Sequence, residues 1–357
     1  VQLTSLLVDV DFRGSGNSEA YVLSGWSQPE ATHRWTLGRE SHLNLRHAGC
    51  GPDRVLVINA TPCRHPPALM GQTIMVALDG KLLTTLRFDA LYVAAIYLPA
   101  DTRPDAVLTF VHLHTAVPRP SAQVRDGHTL GLMLHSVRVF ALGTSGILPV
   151  RNPADLADAD LVSCFESIGQ GCHFGLIQRE CGVEPVGLLR FVDTTTSRLY
   201  EALVARFDGI GAPGRFEWHR TDGASPTWRW QQRDFDLWFD TRIPVDEAAP
   251  DTHDAAQSRR LDFLRRKFLE DCVAAEKIFV LTRSDCLTEP EALAVYCGLT
   301  LSGPCTLLWT VFGDAEKTGH VERLVSGFLK GELGEVNQVR YAPLSSWQAT
   351  LRNALSK

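Results

Sequence analysis

The feature that most constrains this chain is a change of periodicity near residue 143. Up to residue 142, short apolar or alternating runs recur between turn signals, at 3–12, 41–46, 54–60, 72–78, 81–88, 92–98, 106–113 and 130–142. Side chains of a half-buried strand alternate between core and solvent, so such runs read as β-strands. Asp79-Gly80 separates two of them and supplies the positive φ angles of a two-residue hairpin. No run in this half carries a helical period. Some eight strands without helices predict an N-terminal all-β sandwich, jelly-roll-like, over 1–142, in a two-domain α+β chain.

Residues 143–160 contain Gly143, Gly146, Pro149, Pro153 and an Asp/Ala-rich end, the composition of a linker. From 161 to 357 strands and helices alternate, which predicts an α/β domain with a mixed sheet. Leu161–Ser167 reads as a strand and Gly169–Gly171 as a tight turn. His173–Cys181 reads as a helix that Gly182 caps. Further helices are expected at 196–207, 255–275, 289–301 and 320–330, and strands at 277–281 and 305–312. On the 255–275 helix Leu261, Leu264, Phe268 and Cys272 share one face.

Composition narrows the function classes. The chain has 357 residues, 45% of them hydrophobic, enough for two cores. A net charge of −6 disfavours a nucleic-acid partner. No apolar run reaches the roughly 18 residues of a spanning helix. Residues 1–12 alternate and carry Asp9 and Asp11, so they read as a strand and not as a secretory leader. The nine cysteines are sparse, odd in number and without a C-x-x-C pair. That spacing favours a reducing, cytoplasmic setting over a disulfide scaffold and disfavours a thiolate zinc site. No cofactor or metal is expected.

The most informative segment runs from Ser163 to Gly182. A strand ends, a glycine turn follows, and a helix opens at Cys172. Backbone N–H groups at a helix start stabilise negative charge, and a thiol placed there becomes a better nucleophile. Cys172 is therefore a candidate nucleophile; the competing reading is a small buried packing residue. His219, in the aromatic stretch Phe216–His219, and His253, in a polar loop, are candidate bases, as is His320; each also reads as an ordinary loop histidine. Arg179, Glu184 and Arg190 read either as an ion-pair network or as an anion- or sugar-binding group.

Ser167-Ile168-Gly169-Gln170-Gly171-Cys172 resembles the opening of a bacterial family classed with papain-like cysteine peptidases. The continuation, from Phe174 to Arg179 and from Glu184 to Phe191, resembles a subgroup that reads C-E-F-G-x-x-Q-R-x-x-G-x-E-P-L-G-L-L-R-F. That subgroup often accompanies genes for surface-polysaccharide synthesis. Arg265–Asp271, Lys277–Val280 and Leu307–Trp309 are similar too, so the resemblance covers about 160–330. It implies a papain-like fold with Cys172 as nucleophile. His173 stands where many relatives have Glu, and Asp240 stands where the relatives' histidine is expected.

In the β half, Gly25-Trp26-Ser27-Gln28-Pro29-Glu30 followed by Arg34-Trp35-Thr36 resembles β-sandwich modules attached to bacterial polysaccharide enzymes. Arg125–Gly131 is similar to the closing strand of that module, with His128 in place of an arginine. The resemblance implies a sugar site at Trp26 and Glu30. A tryptophan offers a sugar a flat apolar face, and a carboxylate accepts from its hydroxyls. The alternative is that both tryptophans anchor the core, which is the expectation for Trp35; for Trp26 both readings stand.

Three other signals are set aside. Gly209–Gly214 matches G-x-G-x-x-G by letter but follows a helix and contains Pro213, so it reads as a loop. His112 and His114 share a strand face without a third ligand nearby. The Asp-x-Asp pairs at 9, 158 and 234 fall in strand, turn or linker patterns. The functional expectation is a thiol-dependent hydrolase or acyltransferase acting in bacterial surface-polysaccharide metabolism, with glycans or glycoconjugates as partners. The alternatives are a non-catalytic carbohydrate-binding or assembly protein and, less favoured, a glycosyltransferase-like enzyme.

Overall fold

The computed structural model describes residues 4–46, 53–63, 71–115, 129–143, 152–169, 171–222, 225–246, 253–283, 287–335 and 342–357. The fold is mixed α/β and mostly β, with six α-helices among the described residues. Contacts gather into two compact units, Ser5–Leu142 and Gly143–Lys357, the latter including Val1–Thr4.

Among its described residues the first unit holds ten strands: β1 (Ser5–Asp11), β2 (Val22–Ser24), β3 (Arg34–Leu37), β4 (Glu40–Asn44), β5 (Arg54–Pro62), β6 (Gln72–Leu78), β7 (Lys81–Phe88), β8 (Tyr92–Tyr97), β9 (Val107–His112) and β10 (Leu130–Ala141). They form two five-stranded sheets. One has the order β1-β10-β5-β8, with β3 also paired to β10; the other runs β2-β4-β9-β6-β7. Every pairing is antiparallel. This order is what two Greek keys produce when wound around a sandwich. One core joins the sheets, with Val8, Val10, Ile58 and Leu134 from the first against Leu43, Ile74, Val76 and Phe110 from the second. Asp79 and Gly80 both have positive φ and close the β6–β7 hairpin.

The second unit opens with α1 (Asp158–Ser163), β11 (Phe165–Ser167), α2 (His173–Glu180), β12 (Val192–Asp193) and α3 (Thr196–Val204). Then come β13 (Phe216–Arg220), β14 (Thr227–Gln232), β15 (Leu237–Pro244), α4 (Asp254–Ala274), β16 (Ile278–Thr282), α5 (Glu289–Thr300) and β17 (Thr306–Val311). It ends with β18 (Val321–Val325), β19 (Phe328–Glu332) and α6 (Leu344–Leu355). A five-stranded mixed sheet runs β11-β16-β17-β19-β18. Its first four strands are parallel neighbours, and β18 joins antiparallel. Helices cover both faces. Ile278, Val280, Leu308 and Leu329 meet Leu161, Phe174, Ile177 and Trp347 from α1, α2 and α6. On the opposite face Phe279 meets Phe268 of α4 at 5.6 Å, and Phe328 stacks on Tyr296 of α5 at 5.4 Å. A separate antiparallel sheet, β12-β15-β14-β13, carries the tryptophan-rich stretch.

Three elements differ from the sequence reading. Leu161–Ser163 belong to α1, where Asp158 and Asp160 in the first turn favour a helix start; the strand begins only at Phe165. Residues 320–330 form the β18–β19 hairpin and not a helix. The apolar Phe328 and Leu329 enter the core on a strand, and Gly327 turns the chain with φ +79°. The second half of the supposed linker is folded: Arg352 of α6 donates to Leu156 O at 2.9 Å and pairs with Asp158 at 3.6 Å. Residues 144–151 lie outside the described residues.

Candidate functional site

A cavity of about 610 Å³ opens in the second unit, between α2, the 184–192 segment, the β14–β15 sheet and α4. Cys172 stands on its wall as the N-cap of α2, and its carbonyl accepts the first helical hydrogen bond from Leu176 N at 2.9 Å. The turn that delivers it requires glycine: Gly171 has φ +138°, where a Cβ is strained. Of the described cysteines, Cys63, Cys272, Cys297 and Cys305 are buried, and Cys164, Cys172 and Cys181 are half-buried. Cys50 and Cys286 lie outside the described residues.

Arg179, Glu184 and Arg190 also line the cavity. Glu184 accepts from Arg179 with one carboxylate oxygen and from Arg190 with the other. The hydrogen bonds from Arg179 and Arg190 hold the Glu184 carboxyl below the usual range. Arg190 is buried and also donates to the carbonyls of Gly175 at 2.9 Å and Val183 at 3.2 Å. The Phe191 ring lies 5.2 Å from the Arg179 guanidinium and 4.7 Å from that of Arg190. The group ties the chain after α2 to the helix, so a structural role and a place on the cavity wall coincide.

Asp240 lines the cavity, yet the strand pleat turns its carboxylate away from the Phe239 face. Asp240 and Arg229 are register partners on β15 and β14, and Arg229 Nε meets the carboxylate at 3.0 Å. On the other face Trp230 stacks on Phe239 at 4.2 Å, and both residues line the cavity.

The three candidate bases, His219, His253 and His320, do not join this group. His219 sits on the edge strand β13, beside Trp238 at 4.7 Å, with Nε2 3.2 Å from Gln231 Oε1. His253 caps α4 and lies 6.4 Å from the Trp218 ring. It occupies the helix stripe of Gln257, Arg260, Leu261 and Leu264, which line the cavity, but one turn beyond its end. His320 is exposed at the entry to the β18–β19 hairpin. Among the described residues no histidine lines the cavity. Sequence reasoning placed Leu261 and Leu264 on a core face. It missed Gln257 and Arg260, which follow on the same face at helical spacing.

In the first unit the core-anchoring position, expected of Trp35 and left open for Trp26, is taken by Trp26. Trp26 stacks on Phe12 at 5.1 Å, meets Phe110 edge-on at 6.1 Å and donates Nε1–H to His42 O at 2.8 Å. It packs against the sandwich core. Trp35 points the other way on β3 and donates to Glu30 Oε1 at 3.0 Å, with the His33 ring 5.2 Å away. Glu30 is thus paired with Trp35, not with Trp26. The Arg125–His128 part of the expected closing motif lies outside the described residues. Among the described residues no group of three or more His, Cys, Asp or Glu is placed to hold a metal, and no helix is long and apolar enough to cross a membrane.

No protein-family model and no curated protein matches the chain. Among solved structures it is similar to the CBM36-1 domain of a multidomain xylanase from the hindgut metagenome of Trinervitermes trinervoides. That match has 7% identity and a TM-score of 0.23, over 39% of this chain and 98% of the other. A family two carbohydrate esterase from Clostridium thermocellum matches at 10% identity and a TM-score of 0.21, over 94% of this chain and 96% of the other. An acetyl xylan esterase from the rumen bacterium Butyrivibrio proteoclasticus matches at 9% and 0.20, over 100% and 97%. At these scores the reading of the site rests on its own residues.

Proposed function

We propose that the Gly143–Lys357 unit is a thiol-dependent hydrolase or acyltransferase acting on an acylated glycoconjugate of the bacterial surface, with Cys172 as nucleophile. The observation that carries this reading is the position of Cys172, half-buried at the start of α2 and on the wall of a ligand-sized cavity. The Cys172 thiolate adds to the acyl carbon, the bond to the leaving oxygen or nitrogen breaks, and the leaving group takes up a proton. Water or an acceptor hydroxyl then cleaves the thioester and restores the thiol. Backbone N–H groups at the start of α2 favour the negative charge that develops beside it. Among the described residues no histidine lines the cavity, and the thiol gives its proton to the leaving group. The glycan part of the reading comes from the resemblance of both halves to proteins of polysaccharide metabolism.

The test is alkylation by iodoacetamide, with each cysteine followed by peptide mass spectrometry and hydrolysis of p-nitrophenyl acetate followed in parallel. Cys172 is expected to label first, and hydrolysis to fall with its labelling and in Cys172→Ala. Hydrolysis that survives complete labelling would overturn the proposal. A second reading, to which the lack of a cavity-lining histidine among the described residues points, is a carbohydrate-binding or assembly protein without catalysis. Its signature is glycan binding that is equal in the natural chain and Cys172→Ala, with no turnover in either.

A further inference from the structure

The cavity beside Cys172 carries more positive than negative charge. Arg179, Arg190 and Arg260 line it against the carboxylates of Glu184 and Asp240. Glu184 is shared between Arg179 and Arg190, so those two guanidinium groups hold one positive charge in surplus. The Asp240 carboxylate is drawn to Arg229. Arg260 has no carboxylate partner among the described residues and is exposed. The chain as a whole carries −6, so this positive lining runs against the general balance. Concave, low-dielectric walls focus such a field on a bound ion.

A second observation concerns hydrogen bonds. Arg190 is 6% exposed, and its Nε finds no acceptor among the described residues. Gln257, one turn before Arg260 on the same stripe of α4, has an Oε1 that is buried without a donor among the described residues. Buried polar atoms are normally paired, and an unpaired donor and acceptor on the wall of one cavity are places for ligand atoms. The α4 wall thus presents a cation and an acceptor side by side.

We infer that the cavity takes an anionic ligand, with a carboxylate or phosphate against Arg260 and a hydroxyl donated to Gln257 Oε1. The inference rests on the proposed use of this cavity as the working site and adds a substrate class: acyl compounds or glycoconjugates that carry a negative charge. Arg260 and Gln257 bind and orient, and neither takes part in the bond changes at Cys172.

The test compares two reagents with the same reactive carbon, anionic iodoacetate and neutral iodoacetamide, on the whole folded chain at low ionic strength. The ratio of their rates at Cys172 is expected to exceed that of free N-acetylcysteine amide by about threefold or more. Arg260→Ala and added salt should each collapse the excess, and Arg260→Lys should keep most of it. An equal ratio in the natural chain and Arg260→Ala overturns the inference. Should Arg260→Ala fail to fold by circular dichroism, Arg260→Gln and the salt series on the natural chain decide in the same way. If Cys172 reacts with neither reagent, the thiol proposal falls, and the anion site is decided separately on Cys172→Ser by tryptophan fluorescence. Saturable quenching by glucuronate or glucose 1-phosphate, absent with glucose, sustains the site, and the stronger of the two identifies carboxylate or phosphate. Identical responses to all three sugars overturn it.

Discussion

Gly187 lies directly against the Glu166 carboxylate: a Cβ at position 187 would stand 2.1 Å from Glu166 Oε1. Gly187 lines the cavity, whereas Glu166 is 3% exposed on β11, so the absent side chain joins the cavity wall to a buried charge cluster. Lys277 pairs with Glu166 at 3.2 Å and with Asp271 at 3.5 Å, and Lys267 approaches Glu166 at 4.0 Å. The carboxylate cannot swing away without leaving these partners. Gly187→Ala is therefore expected to cost about 1–3 kcal/mol, the usual effect of overpacking. The urea midpoint reads the loss, and a changed alkylation rate at Cys172 reports the displaced wall.

Burial pushes the Glu166 carboxyl up, despite the attraction of Lys277 and Lys267. Burial also works against the Lys277 charge, but Glu166 and Asp271 outweigh it and hold Lys277 above its ordinary range. The native form of Glu166 keeps its proton to higher pH than the unfolded chain does. Its contribution to stability therefore falls as pH rises from the ordinary carboxylate range through the native value. Lys277→Met leaves the carboxylate with one distant cation and should cost about 3 kcal/mol near neutral pH. The loss should shrink on acidification, once Glu166 is neutral. A constant loss from pH 4 to 7, by urea denaturation, would contradict this picture.

His112 is a buried base at the end of β9. It is 5% exposed, and among the described residues neither ring nitrogen has a hydrogen-bond partner. Burial pushes its pKa down to about 4. The unfolded histidine takes up a proton near pH 6.5, so stability is lost as pH falls from there toward 4. The loss is roughly 3 kcal/mol over that window, at 1.36 kcal/mol per unit. His112→Leu should flatten this part of the pH dependence, measured as the urea midpoint of the Ser5–Leu142 unit at pH 7 and pH 5.

The different roles of Trp26 and Trp35 separate by mutation. Trp26→Ala removes a ring stacked on Phe12 and packed against the core, at an expected cost of about 3 kcal/mol. Trp35→Ala loses the contact with Glu30 and should cost about 1 kcal/mol. Comparable melting temperatures for the two variants would overturn the assignment.

Much of the architecture was legible because local periodicity reports burial. The runs ending at Leu142 became the strands of the sandwich, and the Asp79-Gly80 turn closed its hairpin. In the second unit Glu289–Thr300 formed a helix with Thr288 and Glu291 in a capping box. The turn into α2 followed from glycine and a helical pattern. The β18–β19 hairpin misled because Val321, Leu324, Val325 and Phe328 suit either period over so short a run. A helix at 320–330 and a hairpin there differ mainly in which neighbours they meet.

The sequence by itself determined the strands, the main helices and the delivery of Cys172 to a helix start, since each depends on residues close in the chain. Only the tertiary structure decided what faces Cys172. His219 and Asp240 lie 21 residues apart on strands of one sheet, yet the sheet order sends the first to an edge and the second to the cavity. His253 and Gln257 share a helix stripe, but the cavity ends between them. Trp26 and Trp35 look alike in sequence, and the direction of each ring follows from strand pairing that joins distant segments. A side chain's partner is set by packing between elements, and that information is distributed over the whole fold.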